Sequence, residues 1–480
     1  METAQEESTG AKSPPAPFTP PENAWLRDLF IIAAAWFAVR VPLIVFRVKP
    51  FVQCDSFNYP TFFNAIRIPH YPFMYGQFLE CFGHFPAMLI QHFLVLFCAV
   101  ILYFIGRDIS GRNGGLFSGL FVSVYGGFVL YAHSIMSETL FNFFVVCHLA
   151  VLWMALKEEK ARSKWCCAWF FLAGFLASVA SNVRPVIQYQ VFVIFLALFP
   201  FYLARRQVKS LLKFSGWLAL GFLSLHLYVA GATYTHYGLF GISSGLPKAA
   251  MYRLVYDSKA PLSGVRVSDP KLAAVRDYLV QVGPDDKNIW VNAFNHITGE
   301  ILPKFNGNRC VYNIETDRVI MELWRKYVLT YPFEYFRYSV AELVLQLLYV
   351  EKFSGLLEFS QRMSKDGPPP PSSRAVSFLR AFYLLFSLML GNIFFIIFGI
   401  TAGFLFMRRE NDPKNYFMAC LFLTMFFLYV PQFFASLGMI RYRYPFDMVF
   451  FLAAGAGFSR LSLNSARKRA MSKTAPGGGK

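Results

Sequence analysis

The chain has 480 residues, of which 56% are apolar, 18% are aromatic and only 15% are charged. A soluble domain carries roughly 25% charged residues, so this composition excludes an ordinary soluble globular protein. The net charge of +18 comes from 46 Lys and Arg against 28 Asp and Glu. Much of this excess lies in short loops between apolar runs and in the C-terminal tail, where it indicates membrane topology and no nucleic-acid partner.

Apolar runs with the length of a membrane-spanning helix recur along the chain. They predict an all-α polytopic membrane protein with about ten transmembrane helices, embedded in a lipid bilayer. The predicted spans lie near residues 29–46, 86–105, 115–131, 139–156, 165–180, 186–203, 211–232, 378–407, 416–434 and 445–458.

The spans divide the chain into five parts. Residues 1–25 are predicted to be a disordered cytoplasmic tail, and 26–232 an N-terminal transmembrane module whose first outer loop covers 47–85. Residues 233–375 form a long polar segment, read as a mixed extracytoplasmic domain with an amphipathic helix at 318–329. Residues 376–459 hold the C-terminal transmembrane helices, and 460–480 form a basic cytoplasmic tail.

Alternation of the spans predicts which loops share a side of the membrane. One side receives the short basic loops at 106–112, 157–164, 204–209 and 408–414, which the positive-inside rule makes cytoplasmic. The other side is periplasmic, extracellular or lumenal, and it receives 47–85, 132–139, 181–185, 233–374 and 435–444. These outer loops contain two candidate acids and three candidate arginines.

The arginines are candidates for binding phosphate. Arg184, Arg441 and Arg443 stand at boundaries of apolar runs on the outer side, and Arg40 lies inside the first span. Planar guanidinium donors meet two phosphate oxygens at once, and at a membrane surface the phosphate would belong to a lipid. The competing interpretation is that each arginine extends its charged head to the interface, without a ligand.

The candidate acids are Asp55, in the first outer loop, and Glu138, at the start of the fourth span. Asp55 precedes Tyr59, His70 and Tyr71, which are candidate substrate-binding residues. The competing interpretation of Asp55 is a solvated loop residue, and that of Glu138 is a charge favoured by the helix dipole. The histidine is more typical of a hydrogen-bonded loop residue than of a catalytic group.

Several motifs resemble the membrane glycosyltransferases of the GT-C fold. The first is an Asp in the first outer loop followed four residues later by Tyr, and the second is Gly111-Arg112-Asn113 with the later segment up to Ser137-Glu138. The third is Arg184-Pro185, and the fourth is Arg441-Tyr442-Arg443-Tyr444-Pro445 before the last span. The branch that includes dolichyl-phosphate-mannose protein mannosyltransferases and the aminoarabinose transferases of lipid A is the most similar.

This resemblance implies an enzyme that moves a sugar from a polyprenyl-phosphate donor to an extracytoplasmic glycolipid, polysaccharide or protein. It implies Asp55 as the base, Glu138 as an orienting acid, and the arginines as ligands of the donor phosphate. The family often has a second acid after the first, whereas here Ser56 follows Asp55. No metal ligand is therefore assigned, no cofactor is predicted with certainty, and a divalent metal stays an open alternative.

Two other classes of protein are compatible with the same sequence. A transporter or flippase for a lipid-linked sugar would also place charges beside a membrane groove, although it predicts repeated groups of spans. A non-catalytic assembly subunit would keep the fold without needing Asp55. The compact size favours a bacterial inner membrane, with the catalytic face outside the cytoplasm.

Overall fold

The computed structural model of the chain describes residues 24–46, 81, 83–135, 137–184, 187–237, 250–251, 253–255, 261–282, 289–305, 313–348, 414, 416–421, 423–424, 447–448 and 451–459. Within these ranges the regular secondary structure is helical, and no β-strand is present. The prediction of an all-α polytopic membrane protein is therefore confirmed in the described part of the chain.

The N-terminal block is a set of apolar helices. They are α1 (Ala24–Phe46), α2 (His84–Ser110), α3 (Arg112–Val124), α4 (Gly126–Ala132), α5 (Glu138–Lys160), α6 (Cys166–Val183), α7 (Gln190–Ala204) and α8 (Val208–Tyr237). Among the described residues, α1, α2, α5, α6 and α8 are long and apolar enough to cross a membrane. The chain is accordingly an integral membrane protein.

Contacts between these helices show that successive segments run in opposite directions. Trp36 of α1 donates its indole N–H to the carbonyl of His92 in the first part of α2, whereas Asp28, earlier in α1, contacts Tyr103, later in α2; the end toward which His92 lies is the first end. Near the other end, Arg112 of α3 contacts Asp28 of α1. We call the first end, which also carries Glu138 at the start of α5, the outer end, because the sequence predicts it to lie outside the cytoplasm. The opposite end is the inner end.

A buried carboxylate joins three helices at the inner end. Asp28 is fully buried, and Arg112 donates to both of its oxygens, at 2.8 Å from Nε and 2.6 Å from Nη2. The Tyr103 hydroxyl donates to the same carboxylate at 3.1 Å. This two-pronged contact satisfies a charge that would otherwise be costly to bury, and it sets the position of α3 against α1.

Two glycines allow α6 and α8 to pack with their backbones in contact. A Cβ atom on Gly174 would overlap the carbonyl oxygen of Leu218, and one on Gly221 would overlap that of Phe171. Small residues at such crossings are typical of membrane helices, because helices in lipid associate by close packing. Gly216 lies on α8 outside this contact, with open space around its Cβ position.

The third predicted span is broken in the structure. α3 ends at Val124, Tyr125 has an extended backbone with φ −63° and ψ 122°, and α4 starts at Gly126. The Tyr125 hydroxyl donates to Oδ2 of Asp447 at 2.9 Å, and both residues are buried. The break therefore gives α3 a polar contact with the C-terminal part of the chain.

One predicted loop is wrong. The sequence predicts that residues 106–112 connect two spans as a loop, but α2 continues to Ser110 and α3 starts at Arg112. The turn is made by Gly111 alone, whose φ of +84° is a conformation that glycine adopts without strain. Its N–H donates to the carbonyl of Arg107 at 2.9 Å, which ends α2.

The described part of residues 250–348 has a core of its own. Its described α-helices include α9 (Pro270–Val282), α10 (Ile289–His296), α11 (Leu302–Phe305), α12 (Asn313–Thr330) and α13 (Pro332–Leu348), and a π-helical turn at Ile297–Ile301 joins α10 to α11. Val275, Ile297, Leu302 and Leu323 are fully buried in one apolar cluster. The amphipathic helix predicted at 318–329 lies within α12, and it ends, as expected, before Tyr331 and Pro332.

Candidate functional site

The central feature of the outer end is an ion pair between α5 and the end of α6. Nη1 of Arg184 lies 2.6 Å from Oε1 of Glu138. The Glu138 side chain is fully buried, whereas that of Arg184 remains 13% exposed. The geometry of this contact is that of an ion pair, held by the attraction between opposite charges. Among the described residues, no donor forms a hydrogen bond with either carboxylate oxygen of Glu138.

Local structure explains why both charges are found there. Glu138 is in the first turn of α5, where the helix dipole favours a carboxylate. Arg184 is the residue at which α6 ends, and its backbone is extended, with φ −147° and ψ 121°. The guanidinium is thus attached just beyond a helix, beside the start of a neighbouring one.

The register between α5 and α6 is fixed by three contacts along their length. They are the Glu138–Arg184 pair, a 2.8 Å contact between Nδ1 of His148 and the carbonyl of Ala173, and a 3.8 Å contact between Sγ of Cys166 and the carbonyl of Ala155. In each contact the two residue numbers add to 321 or 322, as expected for antiparallel helices with the same rise. This register brings Asn142 opposite residues 179–180.

Three buried polar side chains lie within about one helical turn of the ion pair along α5 and α6. Asn142 is 2% exposed, Ser181 is fully buried, and Asn182 is 5% exposed. Asn182 donates its Nδ2 to the carbonyl of Ser178 at 2.8 Å. The Oδ1 atoms of Asn142 and Asn182 and the Oγ of Ser181 have no hydrogen-bond partner among the described residues. Unsatisfied polar atoms in an apolar bundle are costly, so their presence calls for a ligand or water.

The start of α7 lies deep in the bundle. Gln190, the first residue of α7, donates its Nε2 to Oγ1 of Thr424 at 2.8 Å and lies 3.4 Å from Nε2 of His148. His148 is ten residues along α5 from Glu138, which corresponds to about 15 Å of depth. Non-helical backbone at membrane depth is found where it lines a cavity or is buried in protein. Because α7 starts at this depth, it has only 15 residues.

A second polar cluster flanks the ion pair on the α2 side. Nε2 of His92 lies 3.2 Å from Nδ1 of His133, and both rings are fully buried. Gln91 donates to the carbonyl of Ser134 at 2.6 Å and to that of Ala132 at 3.2 Å. These contacts hold the loop that leads from α4 to Glu138, and so they position the acid.

Arg40 is buried inside the first span, as its sequence position predicts, and does not extend to the interface. It is fully buried and donates to the carbonyl of Ser123, where α3 ends. Its guanidinium also lies 5.5 Å from the centre of the Trp36 ring. The geometry gives Arg40 a role in supporting the break in the third span, close to the His92 cluster, and its predicted phosphate role stays a prediction.

The structure brings together two of the residues singled out in the sequence, Glu138 and Arg184. Arg40 is described, but the remaining candidates lie outside the described residues: Asp55, Tyr59, His70, Tyr71, Arg441 and Arg443. Sequence reasoning missed Asn142, Ser181 and Asn182, although their spacing could have revealed them. Asn142 is one helical turn from Glu138, and the two α6 residues lie just before Arg184.

The described residues contain no group of three or more His, Cys, Asp or Glu side chains that could hold a metal ion. The His92–His133 pair offers two ligands, and Asp28 and Glu138 are each occupied by an arginine. The first outer loop, to which the open alternative of a divalent metal refers, lies outside the described residues. A metal in that loop therefore stays an open alternative.

The fold and the buried outer polar cluster define a helical integral membrane protein with a charged, partly accessible centre at one end of its bundle. No family model matches the chain, and no curated protein matches it. Solved structures do resemble it. The oligosaccharyltransferase AglB of Archaeoglobus fulgidus, in complex with an inhibitory peptide and a dolichol-phosphate, has a TM-score of 0.46 and 13% identity over 95% of this chain.

A second solved structure is that of ArnT from Cupriavidus metallidurans bound to undecaprenyl phosphate, with a TM-score of 0.37 and 12% identity over 92% of this chain. The same archaeal oligosaccharyltransferase in complex with Zn and sulfate has a TM-score of 0.40 and 12% identity. This chain spans 52% of AglB and 78% of ArnT. At these scores and identities nothing about this chain's activity follows from the likeness.

Proposed function

We propose that the chain is a membrane glycosyltransferase of the GT-C type, which transfers a sugar from a polyprenyl-phosphate donor to an acceptor outside the cytoplasm. The observation that carries this proposal is the Glu138–Arg184 pair at the outer end of the bundle, with its arginine partly exposed. A fixed, desolvated cation at that level suits a lipid phosphate, which presents its charge at the same depth.

The leaving group explains why an arginine is needed. When the sugar–oxygen bond breaks, the phosphodiester becomes a lipid phosphate monoester and gains negative charge. A preorganised cation stabilises that charge more in the transition state than in the ground state, which is the condition for catalysis. Arg184 is the cation in this role, supported by Arg441 or Arg443, and Glu138 holds its guanidinium in place.

The acceptor hydroxyl requires a base. Asp55 takes its proton as the oxygen attacks the anomeric carbon from the face opposite the phosphate, and the configuration at that carbon is inverted. General base catalysis of this kind contributes about 10²–10⁴-fold in rate. The polyprenyl chain lies between the Phe- and Leu-rich spans, whose aromatic rings can pack against it.

The acceptor is a glycolipid, a polysaccharide or a protein, and the proposed location is a bacterial inner membrane with the outer end in the periplasm. A transporter for the same lipid-linked sugar and a non-catalytic subunit are the competing functions. No described feature favours either of them over transfer.

The test uses purified protein in proteoliposomes, a panel of polyprenyl-phosphate sugars, and detection of released polyprenyl phosphate. Release that depends on Asp55 and Arg184 is the expected result, and it names the donor. No release from any donor, with crude membranes supplied as acceptor, would refute the proposal. Uptake or flipping of the lipid without release would establish a transporter instead.

A further inference from the structure

We infer that Asn142, Ser181 and Asn182 form a subsite for hydroxyl groups of the donated sugar, directly below the Glu138–Arg184 pair. This inference rests on the proposed function and adds to it the part of the chain that selects the sugar. These three residues are uncharged, and they are not among the acids and arginines that the sequence predicts for the site.

Position is the first argument. The contacts that fix the register of α5 against α6 place Asn142 about 6 Å deeper than Glu138, because four residues separate them on one helix. Ser181 and Asn182 are three and two residues before Arg184 on the facing helix. A sugar attached to a phosphate held by Arg184 has a size that matches this depth.

Hydrogen-bonding chemistry is the second argument. The amide oxygens of Asn142 and Asn182 have no partner among the described residues, although each is at least 95% buried. Amide oxygens accept and do not donate, so they fit the O–H groups of a sugar and not the oxygens of a phosphate. The Ser181 hydroxyl both donates and accepts, as a sugar hydroxyl does.

Electrostatics favours a neutral ligand at this position. Glu138, one helical turn from Asn142 on α5, is already paired with Arg184 at 2.6 Å, and the guanidinium disfavours a second cation beside it. A neutral polyol requires no further charge. The subsite therefore complements the rest of the donor, with the phosphate at the arginine and the hydroxyl groups in the polar site below it.

The unfolding temperature of the variants distinguishes a ligand-binding role from a structural role, because loss of a structural contact would lower it. A buried polar atom without a partner destabilises the empty protein, and an apolar substitute of similar shape relieves that cost. We therefore expect Asn142→Leu and Ser181→Ala to unfold at a temperature equal to or above that of the parent, while both transfer sugar more slowly.

Ser118→Ala is the matched control, because it also removes a buried hydroxyl group from a membrane helix. Ser118 donates its Oγ to the carbonyls of Gly114 and Phe451, at 2.8 and 3.1 Å. Its loss should lower the unfolding temperature and leave the choice of sugar unchanged.

The deciding experiment compares each variant with the parent on donors that lack one sugar hydroxyl group at a time. In the parent, loss of a hydroxyl group that the subsite binds should lower kcat/KM on the order of tenfold to a hundredfold. For at least one of these deoxy donors, Asn142→Leu should lose that discrimination. The variant and the parent should then use that donor at the same rate.

Two results would overturn the inference, and they are distinguishable. If the parent transfers sugar and every variant keeps the parent's preferences across the deoxy donors, the subsite is refuted and the proposed function stands. If the parent releases no polyprenyl phosphate from any donor, the proposed function fails and this inference fails with it.

Discussion

Neutralising either member of the Glu138–Arg184 pair should destabilise the protein and expose a strong coupling between the two residues. Removing one partner of a buried pair costs about 3–5 kcal/mol, because the other charge is left uncompensated. In Glu138→Gln the remaining guanidinium, 13% exposed, can turn toward the lipid head groups, so we expect a loss of about 3 kcal/mol. In Arg184→Met a fully buried carboxylate remains, so the loss should be the larger of the two.

The double variant gives the coupling. With both charges gone, no uncompensated charge is left, and the double variant should be more stable than the sum of the single losses predicts. A coupling of about 2 kcal/mol lies within the range measured for residues in contact. The assay is unfolding of the purified protein in mixed micelles as the fraction of SDS rises. The free energies of unfolding of the parent, both single variants and the double variant form a double-mutant cycle, from which the coupling is calculated.

A matched cycle at the inner end shows the effect of exposure. Lys157 and Asp108 also lie 2.6 Å apart, but their side chains are 51% and 45% exposed. Pairs of this kind contribute about 0.2–1 kcal/mol, so Asp108→Asn with Lys157→Met should give a small coupling. If the changes at Glu138 and Arg184 add to within about 0.5 kcal/mol, the buried pair is not coupled and our account of the outer end is wrong.

Three further predictions concern packing, burial and chemistry. Gly174→Ala should destabilise the protein by several kcal/mol in the same SDS titration, because the added Cβ would overlap a backbone oxygen. Gly216→Ala is the control, and it should be neutral or slightly stabilising because the space around that position is open. Equal effects of the two substitutions would refute the close crossing of α6 and α8. Asp28→Asn should cost about 3 kcal/mol, well above Asp108→Asn, and unfolding curves of the two variants that coincide would contradict the buried contact. Asp55→Asn should abolish sugar transfer while the unfolding curve stays that of the parent, and full activity in that variant would remove Asp55 as the base.

Much of the membrane architecture could be predicted from the sequence, because apolar length is set by bilayer thickness. The runs at 29–46, 86–105 and 211–232 correspond to α1, α2 and α8, although α2 and α8 extend several residues further. Helix ends were less accurate, since lysine and serine residues at a span end are compatible with either a loop or a last helical turn. The turn at Gly111 is an example, because its neighbours on both sides are helical.

The site was only partly predictable, for a different reason. A charge such as Glu138 or Arg184 is conspicuous in an apolar sequence, whereas an asparagine or a serine inside a span is common. The importance of Asn142 and Ser181 comes from the register of two helices, which depends on contacts and not on composition. Asp447 escaped notice likewise, since its partner Tyr125 is 322 residues away.

The contact between Gln190 and Thr424 has a consequence for the order in which the protein is assembled. The two residues are 234 positions apart, and at synthesis rates of about 5–20 residues per second the second emerges roughly 10–50 s after the first. During that interval the N-terminal helices are in the bilayer with the Gln190 amide still lacking its partner from the C-terminal block. The contact between Gln190 and Thr424, which lies deeper in the bundle than the Glu138–Arg184 pair, therefore forms late in biogenesis. A nascent chain interrupted before residue 424 would already contain both residues of the Glu138–Arg184 pair, but the Gln190 amide would still lack Thr424.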